Sequence, residues 1–209
     1  RLILSYCQIC FQSICLTHSI RDHFGVFIAI SQFEYAFGLL QTEENLPASF
    51  AIGNAHSVSS GRISFLYDLK GPSLSIDTAC SSSHVALHIL RNSLMNGEIT
   101  TGISGSVNLC LNRKLNVVFC ESGMLSADGR CKVLDSKADG YVRQEFCGLI
   151  YIGSDNYEGK CNHDFKALIG ITVLNQDGFS SSLTAPNGSA QRSLIETALS
   201  ECSIRSRLQ

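Results

Sequence analysis

Apolar residues fall along this chain in short blocks, separated by polar stretches rich in glycine or serine, and the blocks differ in period. Residues 2–16 carry apolar side chains on most faces, the pattern of a buried helix. Gly25, Val26, Phe27, Ile28, Ala29 and Ile30 form an unbroken run behind a glycine, as a strand buried on both sides does. Residues 31–40 open a helix or a loop, and residues 43–47 read as exposed loop. Residues 54–66 are rich in Ser and Gly and then apolar, which predicts a helix packed closely on a neighbour. Gly71-Pro72 marks a turn within residues 68–73, and residues 74–77 alternate as a strand does. After Thr78-Ala79-Cys80-Ser81-Ser82-Ser83, the positions Val85, Ala86, Leu87, Ile89, Leu90 and Leu94 predict a helix that ends at Asn96-Gly97. Residues 101–111 predict a strand of small residues, 117–120 are a short apolar block, and 123–140 are polar and Gly-rich. Residues 149–152 and 167–174 predict two further buried strands, and residues 193–199 start a last helix. Strands alternating with helices, with apolar buried runs, predict an α/β layered fold.

Composition narrows the functions open to such a fold. Of 209 residues, 44% are apolar and 16% charged, so the chain is globular and is one domain or part of a larger one. A net charge of -2 leaves no basic surplus for a phosphate backbone, which excludes nucleic acid as the first choice of partner. Residue 1 is Arg, so a processed product or a fragment is expected. Ser5, Gln8, Gln12, Ser13 and His18 interrupt the apolar stretch 2–20, so no membrane span is expected and a soluble, cytoplasmic protein is.

Ten cysteines at irregular spacing in a chain of this size do not read as a disulfide framework, and reduced, mostly buried thiols are expected. The spacing Cys7-x2-Cys10-x4-Cys15-x2-His18 resembles that of zinc ligands. The residues between read as an apolar helix without the turn that would gather four ligands, so no metal is expected. Cys161-Asn162-His163 is too short to count, and Gly102-x2-Gly105 is no phosphate loop.

Cys80 stands at the junction between a predicted strand and a predicted helix opening near Ser81. The first amides of a helix lack intrahelical partners and the dipole is positive there, a setting that stabilises a thiolate. The same free N–H groups can donate to the oxyanion of a thioester intermediate, and Ala79, Ser81, Ser82 and Ser83 are small enough to leave room for substrate. Position alone also fits a thiol that merely fills a gap in the core.

The surrounding residues separate those readings. Gly71-Pro72-Ser73-Leu74-Ser75-Ile76-Asp77-Thr78-Ala79-Cys80-Ser81-Ser82-Ser83 resembles the active-site signature of β-ketoacyl synthases, above all those of modular polyketide synthases and animal-type fatty acid synthases. Further segments agree in order and spacing: Gly53-Asn54-Ala55-His56-Ser57 with Gly61-Arg62-Ile63-Ser64, and Gly123-Met124-Leu125-Ser126 with Asp128-Gly129-Arg130-Cys131-Lys132. Ala138-Asp139-Gly140-Tyr141-Val142-Arg143, Val173-Leu174-Asn175-Gln176-Asp177-Gly178 and Leu183-Thr184-Ala185-Pro186-Asn187-Gly188 follow. Arg1-Leu2-Ile3-Leu4 also resembles the start of an earlier helix of that family.

The resemblance implies a thiolase-like αβαβα fold of two related halves, with residues 1–165 as most of the first and 166–209 as the start of the second, and a homodimer. It implies that Cys80 takes an acyl group from an acyl carrier protein and passes it to the carbanion of a decarboxylated malonyl-type unit. Both groups would arrive on phosphopantetheine arms, with no metal or bound redox cofactor. Thr78, Ala79, Ser81, His56, Arg143 and Glu145 would bind substrate or support the site.

The family places its two catalytic histidines in later motifs, and none of His18, His23, His56, His84, His88 and His163 matches those motifs. The 209 residues are therefore expected to acylate themselves at Cys80 without completing condensation. His84, four residues after Cys80, is not expected to act as its base; His88 reads as packing, and His18, His23 and His163 as surface or core residues. Gln144 and Phe146 stand where the family has Gly, and a positive φ at either would be strained. Ser106 replaces the second Gly of a pair, and Leu134 stands where Phe is common. Asp128, Asp135, Asp139 and Glu145 are expected to pair with Arg130, Lys132 and Arg143 beneath the site. Two rivals remain: a non-catalytic dimerisation lobe, and a thiolase or chalcone-synthase relative. The residues flanking Cys80, with Asn175-Gln176-Asp177-Gly178, speak against the second.

Overall fold

The computed structural model describes residues 1–12, 14, 16–42, 45–154 and 167–208. Its centre is the apolar run seen in the sequence. β1 (Phe24–Ala29) is buried along its whole length. β2 (Ser73–Ile76) and β3 (Thr101–Asn108) flank β1 in parallel, and β4 (Phe146–Gly153) closes the far edge antiparallel to β3. The sheet order is β2-β1-β3-β4.

Alternation along β1 sends its side chains to two separate cores. Phe24, Val26 and Ile28 pack with Ile3, Cys7 and Phe11 of α1 (Leu2–Gln12) and Ile63 of α5 (His56–Tyr67). Phe27 and Ala29 face the other way, onto Ala86 and Leu90 of α6 (Ser82–Met95) and Ile99. A strand covered by helices on both faces must be apolar at every position, which is why this run reads as continuous rather than alternating. Gly102 on β3 lets the layers close up: a Cβ there would lie 2.8 Å from the Gly25 carbonyl and 3.1 Å from Leu90 Cδ1.

Helix boundaries follow local chemistry. α2 (His18–Asp22) starts where the Thr17 hydroxyl accepts the Ile20 N–H. α6 ends as its Asn-Gly predicts: Gly97 takes φ 73°, and the Glu98 amide donates back to the Ser93 carbonyl. α3 (Glu34–Thr42) settles the helix-or-loop question over residues 31–40: 31–33 are irregular and helix runs from Glu34. The remaining helices are α4 (Ser49–Asn54), α7 (Arg113–Glu121), which takes up the apolar block 117–120, and α8 (Gly188–Leu208).

Several expectations change. α1 buries only the stripe Ile3, Cys7 and Phe11, one residue per turn, while Tyr6 and Ile9 are exposed. The helix predicted over 54–66 starts at His56, because Ala55 is extended and the Asn54 side chain takes the Phe50 carbonyl, ending α4 first. β4 is half-buried rather than buried, as befits a strand at the sheet edge. Residues 167–174 form no strand; no ladder partner lies beside them among the described residues. They are tied to α6 through side chains instead: His88 Nδ1 lies 2.9 Å from Thr172 Oγ1, and Arg91 Nη2 donates to the Gly170 carbonyl at 2.8 Å. Among the described residues the thiols are free but not mostly buried: Cys7 is buried, Cys10, Cys110 and Cys147 are half-buried, and Cys80, Cys120, Cys131 and Cys202 are exposed. Glu43 of the predicted loop, Cys15, Cys161 and His163 lie outside the described residues. No helix among the described residues is long and apolar enough to cross a membrane.

Leu90 joins α6 to the sheet and is fully buried. Leu90→Ala is expected to lower stability by about 2–5 kcal/mol, read as a lower urea midpoint at unchanged m-value.

Candidate active site

β2 delivers the chain to Asp77, a turn of 3-10 helix spans Ala79–Ser81, and α6 begins at Ser82. Thr78, Ala79, Cys80 and Ser81 are all exposed on this turn, so the thiol stands open at the start of the helix. Side chains fix the turn from both ends. Asp77 Oδ1 accepts the Ala79 N–H at 3.0 Å. The buried Ser82 hydroxyl accepts the Thr78 N–H at 2.8 Å and donates to the Ala79 carbonyl at 2.6 Å. Ser81 Oγ donates to the Thr78 carbonyl at 2.8 Å and lies 2.8 Å from Thr78 Oγ1. Between these bonds Ala79 is held at φ 54°, a left-handed conformation that costs an L-residue roughly 1–2 kcal/mol.

His56 approaches the same turn from α5. Its ring stacks on Phe33 at 3.7 Å between centroids and 6° between planes, and its Nε2 is buried with no hydrogen-bond partner. Burial pushes its pKa below the ordinary imidazole value; the Asp77 carboxylate and a backbone hydrogen bond at Gln32 oppose that shift.

Arg143 and Glu145 belong to a second cluster. Arg143 pairs with Glu34, the first residue of α3, through Nη2, donates to the Asn116 side-chain Oδ1 through Nη1, and lies over the Phe119 ring at 5.1 Å. The Glu34–Arg143 pair is buried, with side-chain exposures of 2% and 9%, and Glu34 Oε2 also accepts the Asn112 N–H at 2.7 Å. Glu145 does not pair with Arg143; its Oε1 accepts the Cys110 N–H at 3.0 Å. These partners lie on α3, α7 and the loop after β3, not on the Cys80 turn. Sequence reasoning missed Glu34 and the bonds made by Asp77 and Ser82, and Ser82, expected to leave room for substrate, is instead buried with its hydroxyl bonded to the turn. The signal for Glu34 is a lone carboxylate among Phe33, Tyr35, Ala36 and Phe37.

The other expected acid–base pairs are partly realised. Lys132 reaches Asp139 at 2.6 Å and Asp128 at 3.1 Å, and Ser126 bonds both carboxylates. Ser126 and Lys132 hold Asp128 below the usual carboxylate range, as Lys132 and Ser126 do Asp139. Asp135 accepts the Lys137 N–H rather than a cationic side chain. Gln144 and Phe146 carry no positive φ, so the strain conditionally expected there does not arise; Leu134 does, at 58°, fully exposed. His84 is exposed on α6, His88 also lies 2.8 Å from Asn92 Nδ2, and His18 and His23 are exposed. Cys7 and Cys10 lie on α1 and His18 on α2, and no group of three or more potential ligands converges among the described residues.

Residues 1–156 match the family model of the β-ketoacyl synthase N-terminal domain. The chain is 36% identical over 183 residues to a polyketide synthase of Streptomyces halstedii, covering 88% of this chain and 2% of that protein. It is 37% identical over 177 residues to a pikromycin polyketide synthase component of Streptomyces venezuelae, covering 85% of this chain and 5% of that protein. Among solved structures, a ketosynthase from module 6 of the bacillaene synthase of Bacillus subtilis superposes with a TM-score of 0.79 at 31% identity, over 94% of this chain and 34% of that one. An oxazolomycin ketosynthase domain of Streptomyces albus gives 0.85 at 25% identity, over 97% and 36%. The chain thus spans a small part of the curated relatives and about a third of the ketosynthase chains. Its layered α/β sheet is part of their thiolase-like fold.

Two expected outcomes follow from the geometry. Glu34→Ala leaves the Arg143 guanidinium buried and unpaired and is expected to cost about 3–5 kcal/mol in chemical denaturation, while replacing both by Met recovers most of that loss. His56 binds its proton less tightly folded than unfolded, so its contribution is present above the ordinary value of 6.5 and is lost as pH falls below it. Tm measured against pH is therefore expected to fall less steeply below that value in His56→Phe than in the native sequence.

Proposed function

The chain belongs to the β-ketoacyl synthase family, and from that premise we propose that Cys80 is the acyl acceptor of a polyketide- or fatty-acid-forming condensation. The Cys80 thiolate attacks the carbonyl of an acyl thioester carried on the phosphopantetheine arm of an acyl carrier protein. The tetrahedral oxyanion collapses, the carrier thiolate leaves and takes up a proton, and the acyl group rests on Sγ. A malonyl-type thioester then loses carbon dioxide, its carbanion attacks the Cys80 thioester, and the Cys80 thiolate departs from a β-ketoacyl product. Such a step uses the carrier's phosphopantetheine and calls on no resident metal or redox group.

The observation that supports this reading is the exposed thiol on a side-chain-braced turn at the start of α6, inside the signature Asp77-Thr78-Ala79-Cys80-Ser81-Ser82. Thr78, Ala79 and Ser81 share the exposed turn with the thiol and would meet the acyl chain first. His56 supports the turn from the Asp77 side, and Arg143 with Glu145 brace the neighbouring scaffold. The same reading assigns residues 1–165 to the first half of the thiolase-like domain and 166–209 to the second, a homodimeric assembly, and a cytoplasmic setting.

Incubation with an acyl N-acetylcysteamine thioester is expected to add one acyl mass to the Cys80 peptide and none in Cys80→Ala. Equal labelling of the other exposed thiols, Cys120, Cys131 and Cys202, or no label at Cys80, would overturn the proposal in favour of a non-catalytic dimerisation lobe.

A further inference from the structure

Ala79 is unusual because both of its peptide groups are held by side chains while its backbone sits where alanine is disfavoured. Asp77 takes its N–H, Ser82 binds its carbonyl through both its hydroxyl and its backbone N–H, and the same hydroxyl accepts the amide of the residue before it. Ala79 immediately precedes Cys80, so its φ and ψ set the direction in which the Cys80 side chain leaves the turn. Released from those bonds, an alanine relaxes toward the right-handed or extended regions, and the rotation carries Cys80 away from the first turn of α6. The Thr78–Ser81 bonds close the turn but do not touch Ala79.

We infer that Asp77 and Ser82 are positioning residues that clamp Ala79 in the left-handed conformation and thereby hold the Cys80 thiol at the helix start. The inference rests on the reading of Cys80 as acyl acceptor and adds to it two residues that never touch the acyl group. Ser82 is not a second nucleophile: it is buried, and its hydroxyl is committed as both donor and acceptor. Asp77 is equally committed, to an amide it must keep.

The test is the rate of Cys80 alkylation by iodoacetamide in the 209-residue chain, read by mass spectrometry of the Cys80 peptide. Asp77→Ala is expected to change that rate by about tenfold, the factor set by the cost of left-handed alanine. Asp77→Asn, which keeps an oxygen acceptor for the Ala79 amide, is expected to stay within about twofold of the native rate. Adding Ala79→Gly to Asp77→Ala is expected to restore the native rate to within about twofold, since glycine takes the left-handed region freely. A residue that only stabilised the fold would gain nothing from that glycine. A native rate in Asp77→Ala, an Asp77→Asn variant as perturbed as Asp77→Ala, or no rescue by Ala79→Gly would each overturn the clamp. If Asp77→Ala does not fold, Ser82→Ala with and without Ala79→Gly carries the same test, with Ser82→Thr as the conservative variant. Failure of Cys80 to accept an acyl thioester would remove the functional reading alone, because the alkylation series needs no acyl transfer.

Discussion

The constraint on which this molecule depends is that β1 has no outside. Phe24, Val26 and Ile28 are committed to one helical layer and Phe27 and Ala29 to the other, so neither layer can shift without opening a core. β2 and β3 take their register from this strand. The Cys80 turn inherits its position from both neighbours at once: it leaves the sheet at the end of β2 and enters α6, which is packed on β1 and β3. A turn held between a strand and a helix, each locked to the same buried strand, is anchored at both ends.

Much of this was legible in the sequence because it is local. A buried parallel strand shows as an unbroken apolar run, the end of α6 as Asn-Gly, and the turn between β2 and α6 as a run of small residues; each signal lies within a dozen residues. What was not legible depends on partners far along the chain. Arg143 lies near four acidic residues in sequence, yet it pairs with Glu34, 109 positions away, because folding brings the start of α3 beneath it. Residues 167–174 have the composition of a buried strand, but a strand exists only beside another strand, and side-chain ties to α6 take its place. The left-handed backbone at position 79 was hidden for the opposite reason: the local rule points to glycine, and alanine stands there. Three consecutive serines look alike in sequence, and only the structure shows that Ser82 is turned inward while Ser81 and Ser83 are exposed.

The polar interior divides into two kinds. Around Cys80 the bonds are neutral or singly charged, lie mostly at the surface, and shape one turn. Around Glu34 a fully buried charge pair joins α3, α7 and the segment that leads into β4. Its partners engage both terminal nitrogens of the guanidinium and both carboxylate oxygens, and such added bonds are what a buried pair needs to hold a structure together instead of weakening it. That cluster therefore ties elements together, whereas the bonds around Cys80 shape a single exposed turn.

The tie between His88 and Thr172 gives α6 a second attachment beyond the sheet, behind the turn that carries Cys80. With 14 residues α6 is a rod of about 21 Å, so a tilt of about 5° at one end moves the other by about 2 Å. Misplacement by even ~1 Å is enough to change the rate of a chemical step about a hundredfold. His88 sits seven residues into that rod, so the bond to Thr172 braces α6 near its middle. A tie placed there steadies the end that carries the turn without touching it.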